Sequence, residues 1–407
     1  MAPNPVPTDV PTSVRNRAAA ERRFGPLATT YFQALWAGDP LADAFVADFA
    51  TIGHGRSMRL LKQACYDGID AVPDPPASLR ALFAQLESVP DWVDLPTLDH
   101  GAAHLGRYTR QSGIVLGAAS LVSGYANAAA SRPLEMTGRY LEDAGARTIE
   151  VGSWLSEVTR PGGLQPGSRG FELTVRVRII HALVRQALSG RPDWDLTAWG
   201  VPICQSYLAY TLIEFCLIPI RGMRAIGAPH LPHEEVAAYA RWRYLGYLLG
   251  VDESVLPVDR GDQERLEEIY LLTRPPVDPY CRSLVASINS EFLIAEIEEL
   301  LPPRPARLRG LAPKVVYGLE RVFIGDQIAD ELGIPDTRTK HLIRRLGPVL
   351  RVLHTGLDRA SWTLGPRTRR GERYGQSQET RLRMKYAVEH DLVDESPAGG
   401  RAHPARA

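Results

Sequence analysis

Helical periodicity runs through this chain, cut by proline- and glycine-rich breaks, with no convincing alternation of apolar and polar residues anywhere. This pattern constrains the fold more than any other feature. It predicts helices over residues 111–130, 133–158, 171–189, 205–225, 233–249, 261–272, 280–300, 313–331 and 336–360, with shorter ones earlier in the chain. Pro73-Asp-Pro-Pro76, Pro161-Gly-Gly-Leu-Gln-Pro-Gly167 and Pro302-Pro-Arg-Pro305 are the clearest breaks. Val315-Val-Tyr317 is the nearest approach to a strand, and no internal repeat is present. The reading is all-α: one large helical domain over residues 21–390. Composition predicts disorder before it, in 1–20, and after it, in 391–407.

Bulk composition narrows the function classes. Lys+Arg and Asp+Glu balance at 47 each, so no global field points to nucleic acid or an anionic partner. The basic runs Arg367-Thr-Arg-Arg370 and Arg381-Leu-Arg-Met-Lys385 read as solvated helix faces. Cys65, Cys204, Cys216 and Cys281 are widely spaced and form no C-x-x-C pair, which predicts buried free thiols. Met1 to Asn16 shows no apolar run behind a basic start, so no secretory signal is expected and the chain reads as cytoplasmic. The uncharged stretch Gln111 to Ser131 is too rich in Gly, Ala and Ser to predict stable membrane insertion. His230-Leu-Pro-His233 resembles a metal motif only superficially. Pro232 bars a regular helix between the histidines, and His233-Glu-Glu reads as a helix start with acidic residues at its positive end. Gly-x-Gly-x-x-Gly, Walker and Gly-x-Ser-x-Gly patterns are absent, which argues against nucleotide cofactors and serine hydrolysis.

Chemistry concentrates in the segment Phe171 to Arg185. Leu173, Val177, Ile180, Val184 and Leu188 form one helical stripe. Thr174, Arg178, His181 and Arg185 form a second, rotated by roughly a quarter turn. His181 thus falls where a buried face meets a line of cations. A neutral imidazole there suits metal ligation, and Arg178, one turn back, suits an anionic group on whatever carries the metal. Iron porphyrin meets both requirements, since it takes an axial nitrogen and brings two carboxylates. A hydrogen-bonded core histidine is the competing reading. Arg176 and Arg185 read as surface arginines.

Further along come Trp199-Gly-Val-Pro-Ile-Cys-Gln-Ser-Tyr207, Leu212-Ile-Glu-Phe215, Arg221-Gly-Met-Arg-Ala-Ile-Gly227 and Tyr239 to Asp252, closing on Leu256-Pro257. In this order, behind an Arg-x-x-His helix, the chain resembles the heme-dependent oxygenases of the rubber oxygenase (latex-clearing) and MpaB type. The resemblance runs from about residue 90 to 257; the segment 291–386 is less similar and reads as a helical extension, either a cap on the pocket or an interface. It implies a globin-like helical core holding heme b, with His181 as axial ligand and Arg178 and Thr174 beside it. O2 and a hydrophobic, isoprenoid or polyene substrate are the implied partners, and cleavage of a carbon–carbon double bond the implied reaction. Hydroxylation within a natural-product pathway, a non-catalytic heme protein and a heme-free helical scaffold are the alternatives. On the oxygen side the family carries an arginine, then a lysine and a threonine. Arg147 matches the arginine, but Glu150 and Val151 stand where the other two fall. That departure weakens the case for rubber cleavage and places a carboxylate where a proton acceptor is wanted. Glu135 is a second candidate there. Trp199, Gln205, Tyr207 and Glu214 read mainly as packing and hydrogen bonding around the cofactor.

Overall fold

The structure is a computed structural model describing residues 9–100, 107–138, 144–301, 310–386 and 388. Among them every regular element is a helix, as the periodicity requires. At the centre lies the helix Arg169–Ser189. Ser168 caps its start, accepting from the Phe171 amide at 3.2 Å, and Glu172 in the first turn offsets the exposed amide dipoles. Around it pack the helices Pro40–Ala47, His54–Asp67, Ala144–Val158 and Pro232–Leu248. Their apolar faces, with the helices Ala77–Leu86 and Gln205–Phe215, form the larger of two core clusters. The smaller joins Val122 and Ile149 to Cys281, Ile288 and Val316.

Several boundaries differ from the sequence reading for local reasons. The predicted helix 205–225 breaks at Cys216 into Gln205–Phe215 and Leu217–Ala225. Pro219 has no amide to donate back to the Phe215 carbonyl, so the ladder cannot run through. Gly325, at a φ of 85°, divides 313–331 into Leu311–Ile324 and Asp326–Glu331. Val315-Val-Tyr317 lies within the first of these. The predicted helix 111–130 contains a π-helical turn, Leu116–Leu121, and bends by 101° into Ala128–Thr137. Gly117 of that turn sits against Leu293 of a second π-helical turn, Asn289–Leu293; a Cβ at Gly117 would meet the Leu293 side chain at 2.5 Å. Among the described residues no single helix is long and apolar enough to cross a membrane, although this bent pair passes by length and composition.

Disorder in residues 9–20 is a reading the structure overturns. Pro11 is buried, the Thr12 amide donates to the Thr197 carbonyl at 2.9 Å, and a helix begins at Arg17. Composition missed this because the anchoring groups lie about 180 residues away in sequence. Residues 1–8 and 391–407 lie outside the described residues. The four cysteines are free and buried, as their spacing implied.

Candidate active site

The two stripes on the central helix are both buried. Leu173, Val177 and Leu188 are covered, and so are Thr174, Arg178 and Arg185. Arg185 is therefore not a surface arginine: it is 4% exposed, bonded to Asp43 at 3.0 Å and to the Ile203 carbonyl at 3.0 Å. Arg176 is also mostly covered, held by Glu172 at 3.2 Å. The surface reading failed because the helix has packing partners on nearly all sides, and the carboxylate that Arg185 needs, Asp43, lies far away in sequence.

Arg178 is engaged by the protein itself through four of its five N–H groups. Its Nε and Nη2 donate to both oxygens of Asp39 at 2.6 and 3.0 Å, and its Nη1 donates to Gln85 Oε1 at 2.6 Å and the Leu248 carbonyl at 3.3 Å. Asp39 also caps the Pro40–Ala47 helix, accepting from the Ala42 amide at 3.3 Å. Asp39 and Asp43, one turn apart, thus meet Arg178 and Arg185 and clamp that helix to the central one. The backbone makes room for the clamp. Gly250 has a φ of 77°, and a Cβ there would meet Asp39 Oδ2 at 2.3 Å and Arg178 Nε at 2.4 Å. Gln205 ties the surrounding loops together, donating to the Gly38 and Gly250 carbonyls at 2.8 and 2.9 Å and accepting from the Asp252 amide at 2.8 Å. Its expected role as a buried hydrogen-bonding residue fits this geometry. Thr174 is likewise spent: it donates to the Gly170 carbonyl at 2.7 Å and accepts from Trp154 Nε1 at 3.2 Å.

His181 is the exception on this stripe. Among the described residues its imidazole makes no hydrogen bond, and its Nδ1 is buried with no partner. The residue nevertheless keeps some accessible surface. Burial pushes its pKa down to about 4, with Arg185 adding to the effect and Asp39 opposing it. At neutral pH the ring is uncharged and its lone pair is available, the state in which imidazole binds a metal. Hydrogen bonding, the core-histidine alternative, is not what this ring does.

A second interior face lies on the Gln205–Phe215 helix. Tyr207, Thr211, Glu214 and Phe215, at helical spacing, keep partial exposure, while Ser206, Leu208, Ala209, Tyr210, Leu212 and Ile213 are buried. Glu214 makes no hydrogen bond or ion pair among the described residues, and burial raises its pKa to about 8. Gly124 provides the space for it, since a Cβ there would meet Glu214 Oε1 at 2.7 Å. Sequence reading had Glu214 mainly packing and hydrogen bonding around the cofactor, whereas among the described residues it makes no hydrogen bond. A charged side chain inside an apolar helix was the available signal. Nothing local in sequence shows that it has no partner.

On the Ala144–Val158 helix, Arg147 pairs with Glu150 at 2.6 Å, and Glu150 is 8% exposed. Glu135 lies elsewhere, bonded to Arg132 on the Ala128–Thr137 helix. A cavity of about 870 Å³ opens nearby, lined by Ile149, Leu155, Phe215 and Trp242 and by Tyr374 and Leu382 of the helix Ser361–Lys385. The C-terminal extension therefore contributes to its wall. His181 does not line this cavity. Trp154 connects the two: it packs edge-on to Phe215 and Trp242 at 6.1 and 6.4 Å and bonds Thr174 on the His181 helix. Among the described residues no group of three or more His, Cys, Asp or Glu could hold a bare metal ion. The helix start read at His233-Glu-Glu is present: Pro232 opens the helix Pro232–Leu248, and Glu234 accepts from the Leu231 amide at 2.9 Å and pairs with Arg107 at 2.6 Å.

Comparison with known proteins places this geometry. Residues 106–353, more than half of the chain, match the family described as ER-bound oxygenase mpaB/B'/Rubber oxygenase, catalytic domain. A rubber oxygenase of Streptomyces sp. (strain K30) is 22% identical over 295 residues, covering 69% of this chain and 67% of that protein. The solved structure of a latex clearing protein, LCP, in its closed state superposes with a TM-score of 0.63 at 20% identity, covering 83% of this chain and 91% of that one. The all-helical, globin-like architecture is thus shared with that protein. By its catalytic domain, the chain is an oxygenase of the MpaB and rubber oxygenase family.

Proposed function

We propose that this oxygenase holds a b-type heme on His181 and cleaves a carbon–carbon double bond of a hydrophobic, isoprenoid or polyene substrate. The carrying observation is the neutral imidazole of His181, unbonded among the described residues, on a helix whose buried arginines and threonine are engaged. That donor fits an axial ligand. Arg178 fits the propionate role expected from sequence less well, because Asp39, Gln85 and the Leu248 carbonyl take four of its five N–H groups; holding the His181 helix in place suits it better. Thr174 has the same positioning role through Trp154.

A heme, when bound, supplies the binding and reduction of O2, and the protein supplies the donor, the dry surroundings and the proton handling. Two features of this chain bear on proton handling. Glu214 has no partner among the described residues and burial keeps it largely protonated at neutral pH, so it can give a proton at the substrate. Arg147 holds Glu150 on the preceding helix and keeps that carboxylate oriented as an acceptor. The wall formed by Trp154, Phe215 and Trp242 provides an apolar approach from the cavity, suited to a substrate with no polar handle.

Oxygen uptake with oligomeric isoprenoids and linear polyenes, followed by product analysis, tests this function. Paired carbonyl fragments are expected; hydroxylated but uncleaved product would replace cleavage with monooxygenation. Glu214→Gln should keep cofactor binding and lower turnover by roughly 10²–10⁴-fold. The alkaline limb of the pH–rate profile near pH 8 should vanish with it. Stability gives an independent readout. The folded pKa is raised above the ordinary 4.5, so Glu214 destabilises the fold progressively as pH rises from 4.5 through about 8. The glutamine variant should therefore gain stability relative to wild type across that window. An unchanged pH–rate limb and a parallel stability curve would make Glu214 a bystander.

A further inference from the structure

The helix Thr339–Arg359 presents an apolar face that is exposed among the described residues. Leu342, Leu346, Val349, Leu350, Leu353 and Leu357 recur at helical spacing and are all exposed, Leu342 at 57%, Val349 at 65% and Leu353 at 57%. Val352 flanks them, 75% exposed. Other exposed large apolar residues, such as Tyr66, Val236 and Met384, are scattered singly over the surface. The helix itself is firmly seated. Gly347 lies so close to the Ala225 carbonyl that a Cβ would sit 2.0 Å from it, and His354 Nδ1 is 2.5 Å from the Gly227 carbonyl. Its inner side is thus fixed and the leucine stripe is left outward.

The charge beside that stripe has one sign. His341, Arg344, Arg345 and Arg359 are exposed on this helix, and Arg338 is exposed immediately before it. The helix has one acidic residue, Asp358, which is buried, accepting from the Tyr108 hydroxyl at 2.6 Å and ion-paired with Arg367. Asp326 and Asp336 approach the first turn but are engaged by Arg344 and Lys340. Arg345 and Arg359 have no ion pair among the described residues. A leucine-rich face bordered by cations is the pattern of a helix that lies in the plane of a lipid surface without crossing it. A second copy of the chain fits less well, because a twofold contact through this stripe would set the same cations against each other with no exposed carboxylate from this helix to meet them.

We propose that the helix Thr339–Arg359 docks the protein on an anionic lipid surface, its leucine stripe in the acyl boundary and Arg345 and Arg359 among the headgroups. The proposal is independent of the cofactor reading. It also explains how an enzyme for apolar compounds meets them, since such compounds partition into the same surface.

Cosedimentation of the full chain with vesicles tests it, using phosphatidylcholine alone and phosphatidylcholine mixed with an equal amount of phosphatidylglycerol. Binding is expected to the mixed vesicles and to fall with added salt. Leu346→Glu/Leu353→Glu and Arg345→Glu/Arg359→Glu should each weaken it by about tenfold or more, as apolar insertion or headgroup attraction is lost. These positions are exposed, so the thermal melt should be unchanged and should verify folding. Wild-type protein left in the supernatant with mixed vesicles would overturn the proposal, as would sedimentation unaffected by either variant. A wild-type dimer that Leu346→Glu/Leu353→Glu converts to monomer would assign the stripe to a second copy instead.

Discussion

Arg178→Ala is expected to destabilise the fold by about 3–5 kcal/mol, because it leaves the Asp39 carboxylate buried and without its partner. Both side chains are almost wholly covered, and the pair is bidentate. Gln85 Oε1 loses its donor in the same step. The double variant Arg178→Met/Asp39→Leu should recover much of the loss, since it removes both charges, while still lacking the helix cap that Asp39 provides, worth about 1 kcal/mol. Urea unfolding of the cofactor-free protein measures this order: wild type most stable, then the double variant, then the single. If Arg178 instead met a cofactor carboxylate, the alanine variant would unfold like wild type without the cofactor and lose stability only with it. The two roles therefore separate in one experiment.

The helical architecture was legible because apolar spacing and proline breaks are local properties. The central helix is the best case: periodicity gave 171–189 and the structure gives Arg169–Ser189. His181 could be singled out as the one histidine on a helix with a buried stripe, and its solitude in the structure sharpens that reading. The partners of its neighbours could not be read. Asp39 and Asp43 lie more than 130 residues before Arg178 and Arg185, and nothing local marks an aspartate before Pro40 as more than a helix start. Gly250 directly follows the predicted helix 233–249, and the reason no side chain fits there is the Asp39–Arg178 pair itself. The same limit explains Glu214, whose chemistry depends on what it fails to touch. The helix Ser361–Lys385 carries little apolar periodicity because its sequence is polar almost throughout; its place in the helical extension 291–386 and its basic runs were the signals available.

His181→Ala should abolish oxygenase activity while leaving helix content and thermal stability close to those of wild type. The imidazole makes no bond to the protein among the described residues, so its removal costs the fold little. Truncation leaves a small space at a residue that keeps some accessible surface, and refilling by water or by a supplied ligand is straightforward. Added imidazole should therefore restore part of the lost cofactor binding in the variant. The same addition should not improve wild type.

The most direct test is the visible spectrum and heme content of the purified wild-type chain, set beside that of His181→Ala. Wild type should carry one b-type heme per chain, with a Soret band whose position and intensity report nitrogen ligation. The variant should be depleted of heme or show a shifted band that imidazole returns toward the wild-type position. A wild-type chain that consumes oxygen without any heme, or a variant with full heme content and an unchanged spectrum, would contradict the assignment of His181 as the axial ligand.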